Sequence, residues 1–140
     1  MLKVVVDSNI WISALLVAGG KSRELVARFA LGEFTVIYPN WLLDEIRNTL
    51  SKPRLAKRIT ADDISNIISL IEDQGILVEP SSLPTVSRDP NDDAFLACAL
   101  QSHADYIVTG DGDLLVIGEY HRTKIIPVAD FLEILTGGKS

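Results

Sequence analysis

Cysteine and histidine are scarce in this chain: Cys98 stands alone, and His103 and His121 are the only imidazoles among 140 residues. A lone cysteine closes no internal disulfide, and these three residues offer no zinc-ligand spacing, which excludes disulfide frameworks and Cys/His zinc sites. A reducing, cytoplasmic compartment is the expectation. Long apolar runs are absent too. Nothing approaches the roughly 18 uninterrupted apolar residues of a membrane span, and the opening Leu2–Val6 run meets Asp7 before the apolar part of a signal peptide could be completed. The protein is therefore expected to be unexported and free of membrane segments. Positive charge is also in short supply. Thirteen Lys and Arg against nineteen Asp and Glu leave −6, so net charge does not attract a polyanion, and a nucleic-acid partner would have to be held locally.

What is present is a well-filled apolar inventory, 47% of residues, on a chain of the length of one ordinary domain. A single domain over residues 1–140 is expected. Leu2–Val6 reads as a buried strand ending in Asp7-Ser8-Asn9. A helix begins near Ile10 and breaks at Gly19-Gly20, and Ser22 is placed to cap the next one, which Gly32 stops. Phe34–Tyr38 reads as a second strand. After Pro39-Asn40, Leu42, Leu43, Ile46 and Leu50 mark a helix limited by Pro53, with a short basic helix behind it. Thr60 and Asp63 have capping-box spacing, and Ile64, Ile67, Ile68 and Ile71 form a helical stripe up to Gly75. Ile76–Val78 is a short strand, followed by a loop from Pro80 to Ser87. Asp89-Pro90 opens a helix to Ser102; Tyr106–Val108 and Ile125-Ile126 are strands, and residues 128 to 135 form a last helix. Alternation of strands and helices implies an α/β fold with a mostly parallel sheet covered by helices on both faces. Ligands in such folds bind beyond the carboxyl ends of the strands, where Asp7 and Asp111 both lie.

Most acidic residues are solvated or cap helices, so each carboxylate has to be weighed against that role. Asp62 and Asp63 fall in the first turn after Thr60, and Asp89 with Asp92 has the spacing of another cap. Asp93 is set apart from Asp92 by sharing a face with Leu96, Ala97 and Leu100, where an unpaired carboxylate would cost several kcal/mol, so a cation, hydrogen-bond network or metal is expected there. Glu45 sits at the edge of the Leu42/Leu43/Ile46 stripe. Asp7 suits either a cap shared with Ser8 or Asn9 or a functional carboxylate, and Asp111-Gly112 is equally a turn signal, with Asp113 a weaker substitute. Convergent carboxylates raise one another's pKa values unless a cation compensates, and an oxygen-only donor set selects a hard ion such as Mg²⁺ or Mn²⁺.

Four segments carry a resemblance. Val4-Val5-Val6-Asp7-Ser8-Asn9-Ile10, then Glu45, then Asp92-Asp93-Ala94-Phe95-Leu96-Ala97-Cys98-Ala99, then Ile107-Val108-Thr109-Gly110-Asp111 resemble the successive motifs of the PIN-domain family. Arg88-Asp89-Pro90-Asn91-Asp92-Asp93 and Thr109-Gly110-Asp111 look like its branch of toxin components, and VapC-type toxins share the superfamily. The resemblance implies a PIN-like sandwich, with Asp7, Glu45 and Asp93 as the main acidic metal-site residues, Asp111 as a more variable fourth and Thr109 as a supporting hydroxyl; Ser8, Asn9 and Asp113 are further supporting positions. It also implies Mg²⁺- or Mn²⁺-dependent hydrolysis of RNA, frequent homodimers and a cognate antitoxin. Lys21, Arg23, Lys52, Arg54, Lys57 and Arg58 are candidates for RNA phosphates or for a solvated face.

Other motifs carry less. Gly19-Gly20-Lys21-Ser22 and Gly137-Gly138-Lys139-Ser140 imitate the end of a phosphate-binding loop, but Leu15 and Glu133 occupy the position of its first glycine. Cys98, Trp11 and Trp41 read as packing residues. A haloacid-dehalogenase-type phosphatase is a rival, weakened because Asn9 replaces the second Asp of that signature, and a non-catalytic PIN-like or receiver-like module that binds a metal or a basic partner is another.

Overall fold

The computed structural model describes residues 1–79 and 90–137. The Pro80–Ser87 loop, the Asp89 cap and the final glycine-lysine-serine motif lie outside the described residues, apart from Gly137.

Strand β1, Lys3–Val6, forms the middle of the sheet, and Val4, Val5 and Val6 are all at or below 1% exposure. Successive strand residues face opposite sides, so burial of all three requires cover on both faces. Parallel neighbours are β2 (Thr35–Pro39) on one side and β4 (Tyr106–Val108) on the other. Outside β2 lies β3 (Ile76–Val78), also parallel; outside β4 lies parallel β6 (Thr123–Ile126), with β5 (Glu119–Tyr120) antiparallel at the edge. The order is β3-β2-β1-β4-β6-β5. The expected α/β class with a mostly parallel sheet flanked by helices is what the chain adopts.

Local chemistry sets the helices. Asp7 caps α1 (Ser8–Leu16), and Thr60 with Asp63 forms the expected capping box of α5 (Ala61–Gln74). Helix α2 (Lys21–Ala30) begins two residues earlier than the Ser22 cap would require: Gly20 is its N-cap and Ser22 lies inside it. A glycine cap tolerates the extended geometry at little cost, so no hydroxyl is needed. Gly32 ends that helix at φ +79, where Gly32 N–H donates to Phe29 O (2.9 Å) and Glu33 N–H to Arg28 O (3.1 Å), the closing pattern that favours glycine. Helix α3 (Leu42–Leu50) buries Leu42, Ile46 and Leu50; α4 (Pro53–Ala56) is the short basic helix, with Pro53 at its first turn.

Helix α6 (Pro90–Ser102) packs across β2, β1 and β4 and is buried at every position from Asp92 to Ala99. The expected buried face does not extend to Leu100, which is 40% exposed. Short α7 (Gly112–Leu115) and the terminal α8 (Val128–Leu135) complete the chain. An aromatic seam ties α1, α2, the residue entering β2, β4 and α8 together: Trp11–Phe29 and Phe29–Phe34 centroids are 5.7 Å apart, Phe34–Phe131 5.0 Å and Tyr106–Phe131 5.8 Å. No helix among the described residues is long and apolar enough to cross a membrane.

The topology singles out one crevice. From β1 the chain moves to β2 on one side and later returns through α6 to β4 on the other, so the carboxyl ends of β1 and β4 diverge at a switch point.

Candidate active site

Asp7 leaves β1 at that switch point, 6% exposed, and its two oxygens have different partners. Oδ1 accepts from Asn9 N–H at 3.2 Å, which caps α1, while Oδ2 accepts from the Thr109 hydroxyl at 2.7 Å. One oxygen serves the cap expected from the sequence, and the other is held from across the switch point. Thr109 follows β4, is fully buried, and its hydroxyl also accepts from Asp111 N–H at 3.0 Å. A single hydroxyl therefore links the loop after β1 to the loop after β4. Asp111 then caps α7, taking Asp113 N–H on Oδ1 at 2.9 Å. From α3, Glu45 accepts a hydrogen bond from the Ser8 hydroxyl through Oε2.

These residues border a small cleft of about 80 Å³. Asp7, Glu45, Asp92 and Asp111 line it, with Ser8, Asn9 and the ring of Phe95. Four carboxylates from four separate elements thus reach one hollow, three of them among those singled out in the sequence. Asp93 is buried, 7% exposed, but does not border the cleft; Asp92, assigned by its spacing to a helix cap, does. Burial of α6 on all sides removes the distinction on which Asp93 was preferred, because both positions are enclosed. Asp113 is exposed and stands outside the lining. Phe95 was not anticipated either; its only signal was its place one helical turn after Asp92.

Cys98, in the middle of α6, is fully buried, and burial pushes its thiol up to about 12, so it is an inert core residue as expected. Two basic candidates have structural partners. Arg23 Nε donates to Ala14 O at 2.9 Å and Arg58 to Leu16 O at 3.2 Å, where both neutralise the carbonyl end of α1. Lys21 borders a separate hollow against α8, whereas Lys52, past the end of α3, borders another hollow that Glu45 also lines.

The donor set around the cleft is oxygen throughout, the chemistry of Mg²⁺ or Mn²⁺. Among the described residues no three Asp, Glu, His or Cys side chains are grouped so as to hold a metal ion between them. Mg²⁺ makes no such demand, since it is usually held by one or two carboxylates and keeps several waters. The cleft fits a partly hydrated hard cation and does not fit a fully protein-coordinated one.

A mostly parallel helix-flanked sheet with a carboxylate cleft at its switch point defines an α/β protein with an acidic site at the end of its central strands. The chain belongs to the PIN-domain family: the family model described as PIN domain matches residues 3–113. PIN domains are generally nucleases and typically use divalent metals. Among curated proteins it is 30% identical over 125 residues to the uncharacterized protein MJ1680 of Methanocaldococcus jannaschii, covering 86% of this chain and 78% of that one. The fold is shared with PAE2754 from Pyrobaculum aerophilum, with TM-score 0.66, 19% identity and coverage of 97% of this chain and 90% of the other. A domain of a functionally unknown protein from M. jannaschii gives TM-score 0.51 at 17% identity, over 83% and 84% of the two chains.

Proposed function

We propose that this protein is a divalent-metal-dependent endoribonuclease that hydrolyses RNA phosphodiester bonds, acting in the cytoplasm as the toxin of a toxin–antitoxin pair. The observation that carries the reading is the cleft at the β1/β4 switch point, bordered by Asp7, Glu45, Asp92 and Asp111, in a chain of a family whose members are generally nucleases. Asp7, Glu45, Asp93 and Asp111 are the acidic set taken from the family resemblance, and Asp92 joins them from its position in the lining.

One or two of the cleft carboxylates Asp7, Glu45, Asp92 and Asp111 would hold Mg²⁺ or Mn²⁺ with water completing its shell, and the bound ion would supply Lewis acidity for phosphodiester hydrolysis. The chain's own groups set up the rest. Thr109 fixes the Oδ2 edge of Asp7, and the Ser8 hydroxyl fixes one oxygen of Glu45, so these carboxylates are oriented before substrate arrives. Water adds to phosphorus as the bond to the leaving oxygen breaks, and no protein nucleophile is needed.

The test is cleavage of a mixed single-stranded RNA pool by wild type, Asp7→Asn, Asp92→Asn and Asp93→Asn, each with Mn²⁺, Mg²⁺ or chelator. Loss of cleavage in chelator and in Asp7→Asn is expected; metal binding without cleavage of any RNA would move the assignment to a binding module. The toxin role predicts growth arrest on induced expression of wild type and not of Asp7→Asn. Light scattering tests the homodimer implied by the family resemblance.

A further inference from the structure

The carboxylate cleft continues past Glu45. A second hollow of about 390 Å³ runs along α3, lined by Trp41, Asp44, Glu45, Asn48, Thr49 and Lys52, and Glu45 belongs to both. Trp41 at the N-cap, Glu45 and Asn48 recur at steps of four and three residues, so they share one side of the helix, opposite the buried Leu42, Ile46 and Leu50. Lys52, the extended residue that caps α4 two positions past the end of α3, borders the same hollow, which therefore meets an indole, a carboxylate, an amide and an ammonium.

Trp41 is half-buried, and its ring packs on Phe95 at a centroid distance of 5.1 Å. Phe95 itself lines the carboxylate cleft, so the indole is held beside that cleft with part of its surface facing the groove. The Lys52 ammonium is exposed and has no ion pair among the described residues, and the Asn48 amide has no hydrogen bond there. Asp44 would repel an anion, but its carboxylate lies 3.6 Å from the Arg47 guanidinium. The volume falls within the roughly 300 to 1,000 Å³ of small-ligand sites.

Resting on the ribonuclease reading above, we propose that this groove is a nucleotide subsite for single-stranded RNA. One base stacks on Trp41, Asn48 meets its edge, Lys52 takes a backbone phosphate, and the adjoining phosphate lies at the carboxylate cleft. Stacking on a protein ring requires a base free of its own helix, which selects single strands over duplex. The local cation also answers how a chain of net charge −6 holds a polyanion.

The two tryptophans make the test direct. Trp11 is fully buried, so quenching of the protein's fluorescence by a nucleic-acid base reports Trp41. The probe is a nuclease-resistant 2′-O-methyl single-stranded RNA of mixed sequence, with its duplex as control. Saturable quenching by the strand and not by the duplex is expected. With fluorescence anisotropy of labelled probe as the readout, Trp41→Leu weakens binding about 5- to 150-fold. Lys52→Ala, at an exposed position that leaves the fold intact, weakens binding at all sequences and lowers the salt slope by about one. On cleavable RNA the two variants raise KM with kcat little changed.

Cleavage with wild-type KM in both variants and no quenching would overturn the subsite and leave the nuclease standing. Quenching of wild type by the strand and weaker binding by anisotropy in Trp41→Leu, with no cleavage in any metal, would support the subsite and overturn the catalytic reading. Neither quenching nor cleavage would remove both.

Discussion

Replacing Thr109 by valine tests whether one hydroxyl really ties the two halves of the cleft. The shapes are nearly the same, so the change removes a donor to Asp7 Oδ2 at 2.7 Å and an acceptor for Asp111 N–H at 3.0 Å, at a site with no solvent exposure. A hydrogen bond to a charged group contributes about 1.5–3 kcal/mol, and a partly buried N–H left without its partner adds to the loss, giving about 2–4 kcal/mol in all. For a chain of this size that lowers Tm by about 8–16 °C. Thr109→Ser keeps the hydroxyl and loses one buried methyl, a smaller cost of about 1 kcal/mol. Urea and thermal unfolding of both variants, with Asp7→Asn added as a double-mutant cycle, read the comparison; the Thr109/Asp7 coupling is expected at about 1–3 kcal/mol. A valine variant within about 0.5 kcal/mol of wild type, or no less stable than the serine variant, would refute the reasoning.

Two further outcomes concern the rest of the chain. Burial pushes the Cys98 thiol from about 9 up to about 12, so between those values the unfolded chain binds fewer protons; stability falls as pH rises past about 9, by at most about 1.4 kcal/mol per unit, and this part of the fall is absent in Cys98→Ala. Tyr38, raised by burial and then by Glu72, pushes in the same direction, so the alanine variant retains part of the alkaline slope. His103 and His121 sit at φ 55 and 54, where a side chain is disfavoured; glycine at 103 is expected to stabilise by about 1 kcal/mol and at 121 by less, because the His121 ring packs edge-on against Tyr120 at 4.6 Å, and a lowered Tm at 103 would refute the strain argument.

Much of the fold was legible because it rests on local chemistry. The Thr60/Asp63 box, the Pro53 boundary and the valine run of β1 each depend on a few adjacent residues, and each recurs in the structure. The β5–β6 hairpin was not legible. Its strands begin with a two-residue pair, and the turn between Tyr120 and Thr123 is made by His121 and Arg122, without the glycine or asparagine that usually marks such a reversal. Helix α7 was hidden for a similar reason: Asp111-Gly112 signals a turn, and only the following buried Leu114 extends that turn into a helix.

The site shows how far residue patterns reach. Asp7 and Asp111 were readable because parallel strands place their carboxyl ends together, and any acidic residue just beyond two neighbouring strands is drawn to the same edge. Glu45 required a third element to arrive there, and its only local mark was a place beside the stripe of α3. Choosing between Asp92 and Asp93 required more: they differ by about 100° around α6, and a periodicity argument assigns the more buried face only when the other face meets solvent. Here α6 is enclosed on every side from Asp92 to Ala99, so burial carries no directional information and contact with the cleft decides. If Asp92→Asn abolishes cleavage while Asp93→Asn weakens it through loss of stability, the cleft geometry identifies the working carboxylate. The opposite result would mean that the family motif, and not the lining, identifies the group that holds the cation.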